Sequence, residues 1–329
     1  MNSRSRRLGT RVVTALMAAA LATGLAACGD SNADDEANSA GGTDSAEGFP
    51  RTVKHHKGEA KLESKPQKIV ALDPSLVEAV VALDGELAGG VGSYGDKREF
   101  PPYLGDSVSK TEEVGPLESP DLEAILALEP DLIVSASIRH EDLYDELSEI
   151  APTVFVETTG PTWKDNITAL GEAMGAEQQA ETVLGSYEKR AETIGKAIND
   201  KAKDPEVSVI RFMDGPTRLM GKASFTGIIL DDMGLARPKP QDVDEFAVEI
   251  GEEQIRQADG DHIFVSAYEG GEQAQERFLR NPLWRKLDAV KAGDVHEVND
   301  ATWMTSVSVQ GADIMLDDMA KIFDVDPAR

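Results

Sequence analysis

Between residues 164 and 203 the chain runs for about forty residues without a proline. Apolar side chains recur through it at helical spacing, at Ile167, Leu170, Met174, Val183, Leu184, Tyr187 and Ile194, which marks one face of an amphipathic helix. A crossover between neighbouring parallel strands needs only about a dozen residues, so a helix of this length reads as a rigid spacer between two separate sheets. Short apolar runs at Ile69–Leu72, Leu132–Ser135 and Thr153–Val156 precede it, and runs at Val207–Phe212 and His262–Ser266 follow. They alternate with amphipathic helical stretches, the pattern of parallel strands joined by crossover helices. The expected fold class is therefore α/β, with two lobes of mostly parallel central sheets, residues 49–163 and 204–329, joined by one long connector helix over 164–203.

An internal repeat points the same way. Residues 121–134 (DLEAILALEPDLIV) and 251–264 (GEEQIRQADGDHIF) align at an offset of 130, pairing Glu123 with Glu253, Ile125 with Ile255, Asp131 with Asp261 and Ile133 with Ile263. Each half reads as a helix followed by a strand. Chance agreement is the competing reading, because helix-to-strand units recur throughout α/β proteins.

Ahead of the lobes, Arg4, Arg6, Arg7 and Arg11 precede the apolar run Val12–Leu25, which is too short to span a bilayer and suits a cleavable signal. Leu25-Ala26-Ala27-Cys28 then resembles the lipobox of bacterial lipoproteins, which implies that residues 1–28 are a signal and that Cys28 is the lipidated anchor. An ordinary secretory signal with an incidental cysteine is the alternative. Residues 29–48 contain no large apolar side chain and read as a flexible tether. Cys28 is the only cysteine, so disulfides and cysteine-based zinc sites are excluded. Loss of the signal arginines moves the net charge from −27 to about −31, which argues against nucleic acid as a partner.

Four segments together carry a family resemblance: residues 65–92 (KPQKIVALDPSLVEAVVALDGELAGGVG), 119–134, 248–266 and 281–300 (NPLWRKLDAVKAGDVHEVND). They resemble the periplasmic binding proteins that serve ABC importers of ferric siderophores, haem and cobalamin. The resemblance implies two α/β lobes on a helical backbone, a shallow cleft between them and modest closure around ligand.

In open α/β sheets ligands lie beyond the carboxyl ends of the strands. Arg139 follows one strand end and Arg211 closes another, one in each lobe. A guanidinium is a fixed fork of donors suited to the oxygens of a ferric chelate, and the family uses arginine in this way; a solvated or ion-paired arginine is the competing reading. Tyr94, Tyr103, Tyr268 and Trp303 sit in segments rich in Gly, Pro or polar residues, which makes them candidate cleft walls or packing residues. The resemblance favours Trp303 as ligand-facing. Around a turn in 211–225, Met213, Arg218 and Met220 offer adaptable sulfur and guanidinium groups, with hairpin packing as the alternative. Trp163 and Trp284 read as structural. Glu123 and Glu253 are implied to dock on the permease, against the plainer role of acids in a helix first turn.

Enzyme constellations are not apparent. None of the five histidines forms an HExxH or His-x-His spacing, and Gly89-Gly90-Val91-Gly92 departs from the dinucleotide fingerprint, so neither catalysis, a cofactor nor a side-chain metal site is expected. The expectation is a monomeric, membrane-anchored extracytoplasmic protein that captures a ferric siderophore, with hydroxamate type favoured over a triply anionic catecholate because basic residues are sparse. The alternatives are a haem or cobalamin carrier, with His140 or Tyr94 as haem axial ligands, and an adhesin-like surface lipoprotein.

Overall fold

The structure, a computed structural model, describes residues 48–94 and 98–329; Cys28 and residues 29–47 of the tether lie outside the described residues. An antiparallel hairpin of β1 (Arg51–His55) and β2 (Gly58–Leu62) comes first. The first sheet is then built from β3 (Ile69–Ala71), helix α1 (Pro74–Ala82), β4 (Leu87–Gly90), β5 (Glu112–Glu113), α2 (Leu122–Ala127), β6 (Leu132–Ala136), α3 (Ser137–His140), α4 (Tyr144–Ile150) and β7 (Thr153–Val156). Its order is β5-β4-β3-β6-β7, with every neighbouring pair parallel. The central strands are buried on both faces, which is why they read as unbroken apolar runs rather than alternating ones.

Two helices follow, α5 (Trp163–Met174) and α6 (Glu177–Ala202). The single helix expected over 164–203 is therefore divided. Gly175 takes a left-handed conformation (φ 62°, ψ 42°) and caps α5, a backbone state that glycine adopts without steric cost. The Ala176 N–H turns back to the Gly171 carbonyl at 2.8 Å, and α5 folds against α1 as well as α6. Both α5 and α6 touch the two halves of the molecule, α5 through Lys164, which donates to Asp232 at 2.9 Å; α6 is the longer, and its 26 residues extend about 39 Å at the α-helical rise. Gly195 lets α6 approach the backbone of Met233, since a Cβ there would meet the Met233 carbonyl oxygen at 1.8 Å.

The second sheet comprises β8 (Val207–Phe212), β9 (Thr217–Met220), α7 (Phe225–Asp232), β10 (Ala247–Ile250), β11 (His262–Ala267), α8 (Glu272–Arg280), α9 (Asp288–Ala292) and β12 (Val295–Glu297), and α10 (Val309–Ile322) closes the chain. Its order is β10-β9-β8-β11-β12. The pairs β8–β11 and β11–β12 are parallel, whereas β8–β9 and β9–β10 are antiparallel. The turn at 213–216 is thus a true hairpin, and the sheet is only half parallel.

The offset of 130 survives in three dimensions. β6 begins at Leu132 and β11 at His262. Just before them, Asp131 accepts from the Gln67 and Lys68 N–H groups at 2.7 and 2.9 Å, and Asp261 accepts from the Glu206 N–H at 2.8 Å. Each aspartate ties down the entry to the adjacent central strand. One contiguous apolar core unites Val134, Val209 and Phe264 of both sheets with Leu170, Ile194 and Met315 of the helices between. Burial of one such side chain contributes about 1.5–3 kcal/mol. No helix among the described residues is long and apolar enough to cross a membrane.

Candidate ligand-binding site

The segment Leu72-Asp73-Pro74-Ser75 turns a strand directly into a helix. Asp73 caps α1, accepting from the Ser75 N–H at 2.9 Å and its hydroxyl at 2.6 Å, while Pro74 supplies a preset φ in the first turn. The same carboxylate, fully buried, also accepts from the Tyr94 hydroxyl at 2.8 Å and from Arg139 Nε at 3.0 Å. The Arg139 guanidinium lies over the Tyr94 ring, 5.5 Å from its centroid. Burial opposes the charge on Arg139, but Asp73 outweighs it and the pKa moves up. Burial, reinforced by Asp73, pushes the Tyr94 phenol well above its ordinary value.

The second lobe builds a like arrangement from different strands. Arg211, near the end of β8, donates to Asp300 through Nε at 2.8 Å and a terminal nitrogen at 2.6 Å, and to Thr305 Oγ1 at 3.2 Å. Ser266 and Thr305 also donate to Asp300, at 3.0 and 2.9 Å. The Arg211 guanidinium sits 4.6 Å from the Tyr268 ring centroid. Each lobe therefore presents an arginine whose charge is met by an aspartate and whose plane lies on a tyrosine.

Between them Glu78 of α1 bridges the lobes. It accepts from the Tyr103 hydroxyl and from the Ser306 hydroxyl, both at 2.6 Å, and its carbonyl accepts from the Gln310 side chain at 2.8 Å. Burial pushes the Glu78 carboxyl up to about 7, against the opposing pull of the Ser306 and Tyr103 hydrogen bonds. Above it opens a cavity of about 430 Å³ walled by Tyr94, Phe100 and Tyr103 from one lobe and Tyr268, Asp300 and Thr305 from the other. No Arg, Lys or His is among its described lining residues, whereas Glu99, Glu269 and Glu272 are. A lining of aromatic faces, hydroxyls and carboxylates can hold a bulky ligand of neutral or positive charge.

Residues 69–302 match the family model described as periplasmic binding protein. The chain belongs to that family. It is 35% identical over 287 residues to the probable siderophore-binding lipoprotein YfiY of Bacillus subtilis, covering 83% of this chain and 87% of that protein. Against the ferric dicitrate-binding periplasmic protein FecB of Escherichia coli it is 28% identical over 282 residues, covering 85% and 92%. The crystal structure of Staphylococcus aureus SirA complexed with staphyloferrin B superposes with a TM-score of 0.76 at 29% identity, over 84% of this chain and 99% of that one. Periplasmic binding proteins bind solutes and do not transform them, so the site is read as one of recognition.

Within this binding protein the predicted site residues divide. Tyr94, Tyr103 and Tyr268 line the cavity. Arg139 and Arg211 do not, among its described lining; each reaches it through the tyrosine it covers. Arg218 lies opposite Arg211 on β9 but turns to Glu249 at 3.4 Å, and neither it nor Met213 is among the described lining residues. Trp303 is not a cleft wall. The one-turn π-helix Ala301–Thr305 presents Ala301 and Thr305 to the cavity and sends Trp303 the other way, fully buried. There its ring stacks on Phe264 at 4.9 Å and Nε1–H donates to Asp318 at 2.9 Å. Trp163 and Trp284 are buried as well.

His140 is buried with Nδ1 against the Ser135 hydroxyl at 2.8 Å and Nε2 against the Leu117 carbonyl at 2.5 Å, and Tyr94 is bound to Asp73. The two side chains on which a haem reading depended are thus engaged inside the lobe. Glu123 and Glu253 are exposed at matching places, in the first turn of the helical segments that precede β6 and β11, α2 and the 3-10 helix Glu252–Ala258.

The residues missing from the sequence reading are Asp73, Asp300, Glu78 and Ser306. Asp-Pro-Ser after an apolar run is a helix-start signal, and Glu78 is the one acid in PSLVEAVVA; both were visible. Asp300 carries no local mark.

Proposed function

We propose that this protein captures a ferric siderophore outside the cell, held to the membrane through a lipid on Cys28, and passes it as a monomer to an ABC importer. Lobes 49–163 and 204–329 are the two jaws in this reading. The observation that carries it is the inter-lobe cavity with aromatic walls from both sides and both arginines already neutralised by Asp73 and Asp300. Names of relatives that bind siderophores or ferric citrate support the ligand class.

A hydroxamate chelate is favoured within that class. Three singly charged hydroxamates cancel the charge of ferric iron, which suits a cavity whose described lining holds no Arg, Lys or His; a triply anionic catecholate complex would meet Glu99, Glu269 and Glu272 of that lining. Tyr94 and Tyr268 act as the gripping surfaces, stiffened from behind by Arg139 and Arg211. Glu123 and Glu253 are the proposed permease contacts. Leu126, one helical turn after Glu123, is an exposed large apolar side chain, and an apolar residue beside an exposed acid suits a docking patch.

Calorimetric titration of the purified protein with ferric hydroxamates, ferric catecholates, ferric citrate, haem and cobalamin tests the reading. Tight one-to-one binding of a ferric hydroxamate, weakened at least tenfold in Tyr268→Ala, is expected. Preference for a catecholate overturns the subclass, and silence towards every ferric complex overturns the function.

A further inference from the structure

At the end of the second sheet away from the cleft, two histidines meet. His262 opens β11 and His296 lies in β12. Phe264 pairs with His296 in the parallel register, and His262, two residues before Phe264, projects from the same face of the sheet. His262 Nδ1 lies 3.2 Å from His296 Nε2. Asp294, just ahead of β12, joins them: one ligand atom from each of the three residues lies within 4.8 Å of the other two.

We infer that His262, Asp294 and His296 form a binding site for one divalent transition-metal ion of the zinc or nickel class, separate from the siderophore cleft.

The spacing carries the argument. Two imidazole nitrogens on one tetrahedral zinc ion, each about 2.0–2.1 Å from it, stand about 3.3 Å apart, close to the separation seen. Imidazole is a ligand of choice for such ions, and one carboxylate with two histidines leaves further positions for water. A simple hydrogen bond between the rings accounts for the nitrogen distance but does not bring a carboxylate into the cluster. The rings are also held in place: Phe323 lies 4.5 Å from His262 and Phe264 lies 5.0 Å from His296, centroid to centroid. All three residues are half-buried, and β12 is an edge strand, so a hydrated ion has access.

The sequence hid this site because its histidines lie 34 residues apart on two strands, outside any short ligand spacing. Bound there, an ion ties the edge strand to the interior of the sheet and stabilises the folded state by mass action.

Untagged, chelator-stripped protein titrated with zinc chloride and with nickel chloride is the test. One equivalent bound at micromolar affinity or better is expected, falling at least tenfold in His296→Gln and in Asp294→Asn while ferric siderophore binding stays unchanged. Imidazole nitrogen NMR of the unaltered protein gives a second readout that does not depend on a variant folding: zinc is expected to shift His262 and His296 and to leave His140 in place. No stoichiometric binding, undiminished binding in both variants, or shifts confined to His55 and His56 overturns the assignment.

Discussion

The Glu78 carboxylate and the Ser306 hydroxyl meet at 2.6 Å across 228 residues of sequence, joining α1 of the first lobe to the segment that leads into α10. The carboxyl titrates at about 7 in the fold and near its ordinary value unfolded, so the native state holds the extra proton between about pH 4.5 and 7. Its contribution favours folding at low pH and is lost as pH rises through that window, by about 3 kcal/mol at most. Urea unfolding at about pH 5 and about pH 8 is expected to show a smaller fall in stability in Glu78→Gln than in the unaltered protein. Equal falls would remove Glu78 as the cause.

Arg211 and Asp300 form a two-point pair with little exposure of either side chain. Removing only the cation strands a desolvated carboxylate, a loss of about 3–5 kcal/mol. Arg211→Ala is therefore expected to unfold at clearly lower urea concentration, with much of the loss recovered in the double variant Arg211→Ala/Asp300→Asn. A double variant no more stable than Arg211→Ala would contradict the pairing.

Gly195→Ala tests the approach of α6 to the backbone of Met233. An added methyl would sit within 1.8 Å of a backbone carbonyl, which cannot rotate aside as a side chain can. Overpacking of about 1–3 kcal/mol is expected, against the slight gain alanine gives at an exposed helical position. Thermal unfolding decides the sign.

Replacing Glu123 and Glu253 together by alanine is expected to leave siderophore affinity unchanged and to abolish ferric siderophore uptake in cells, with single variants intermediate. Both side chains are exposed, so folding should be unaffected. Normal uptake by the double variant would discard the docking role.

The alternation of apolar runs with amphipathic stretches made the two sheets legible, because strands buried on both faces leave unbroken apolar runs. The offset linking Asp131 to Asp261 was legible too, since each does the same backbone task. The division at Gly175 was masked by apolar periodicity that continues on both sides of it. For Trp303, a single π turn reverses which way a residue faces, and no spacing rule anticipates that. At the site, strand ends pointed to the tyrosines, but the aspartates that occupy Arg139 and Arg211 lie 66 and 89 residues away in sequence. Pairings over such distances leave no local pattern to read.

The helix α10 packs on α1 and α6, and Met315, Leu316 and Met319 complete the core that both sheets share. During synthesis, then, a first lobe already released from the ribosome still lacks one of its walls. The side of α1 that meets α10, unlike the side that α5 covers, stays open until residues 309–322 have emerged, so the first lobe is completed only by the last helix of the chain.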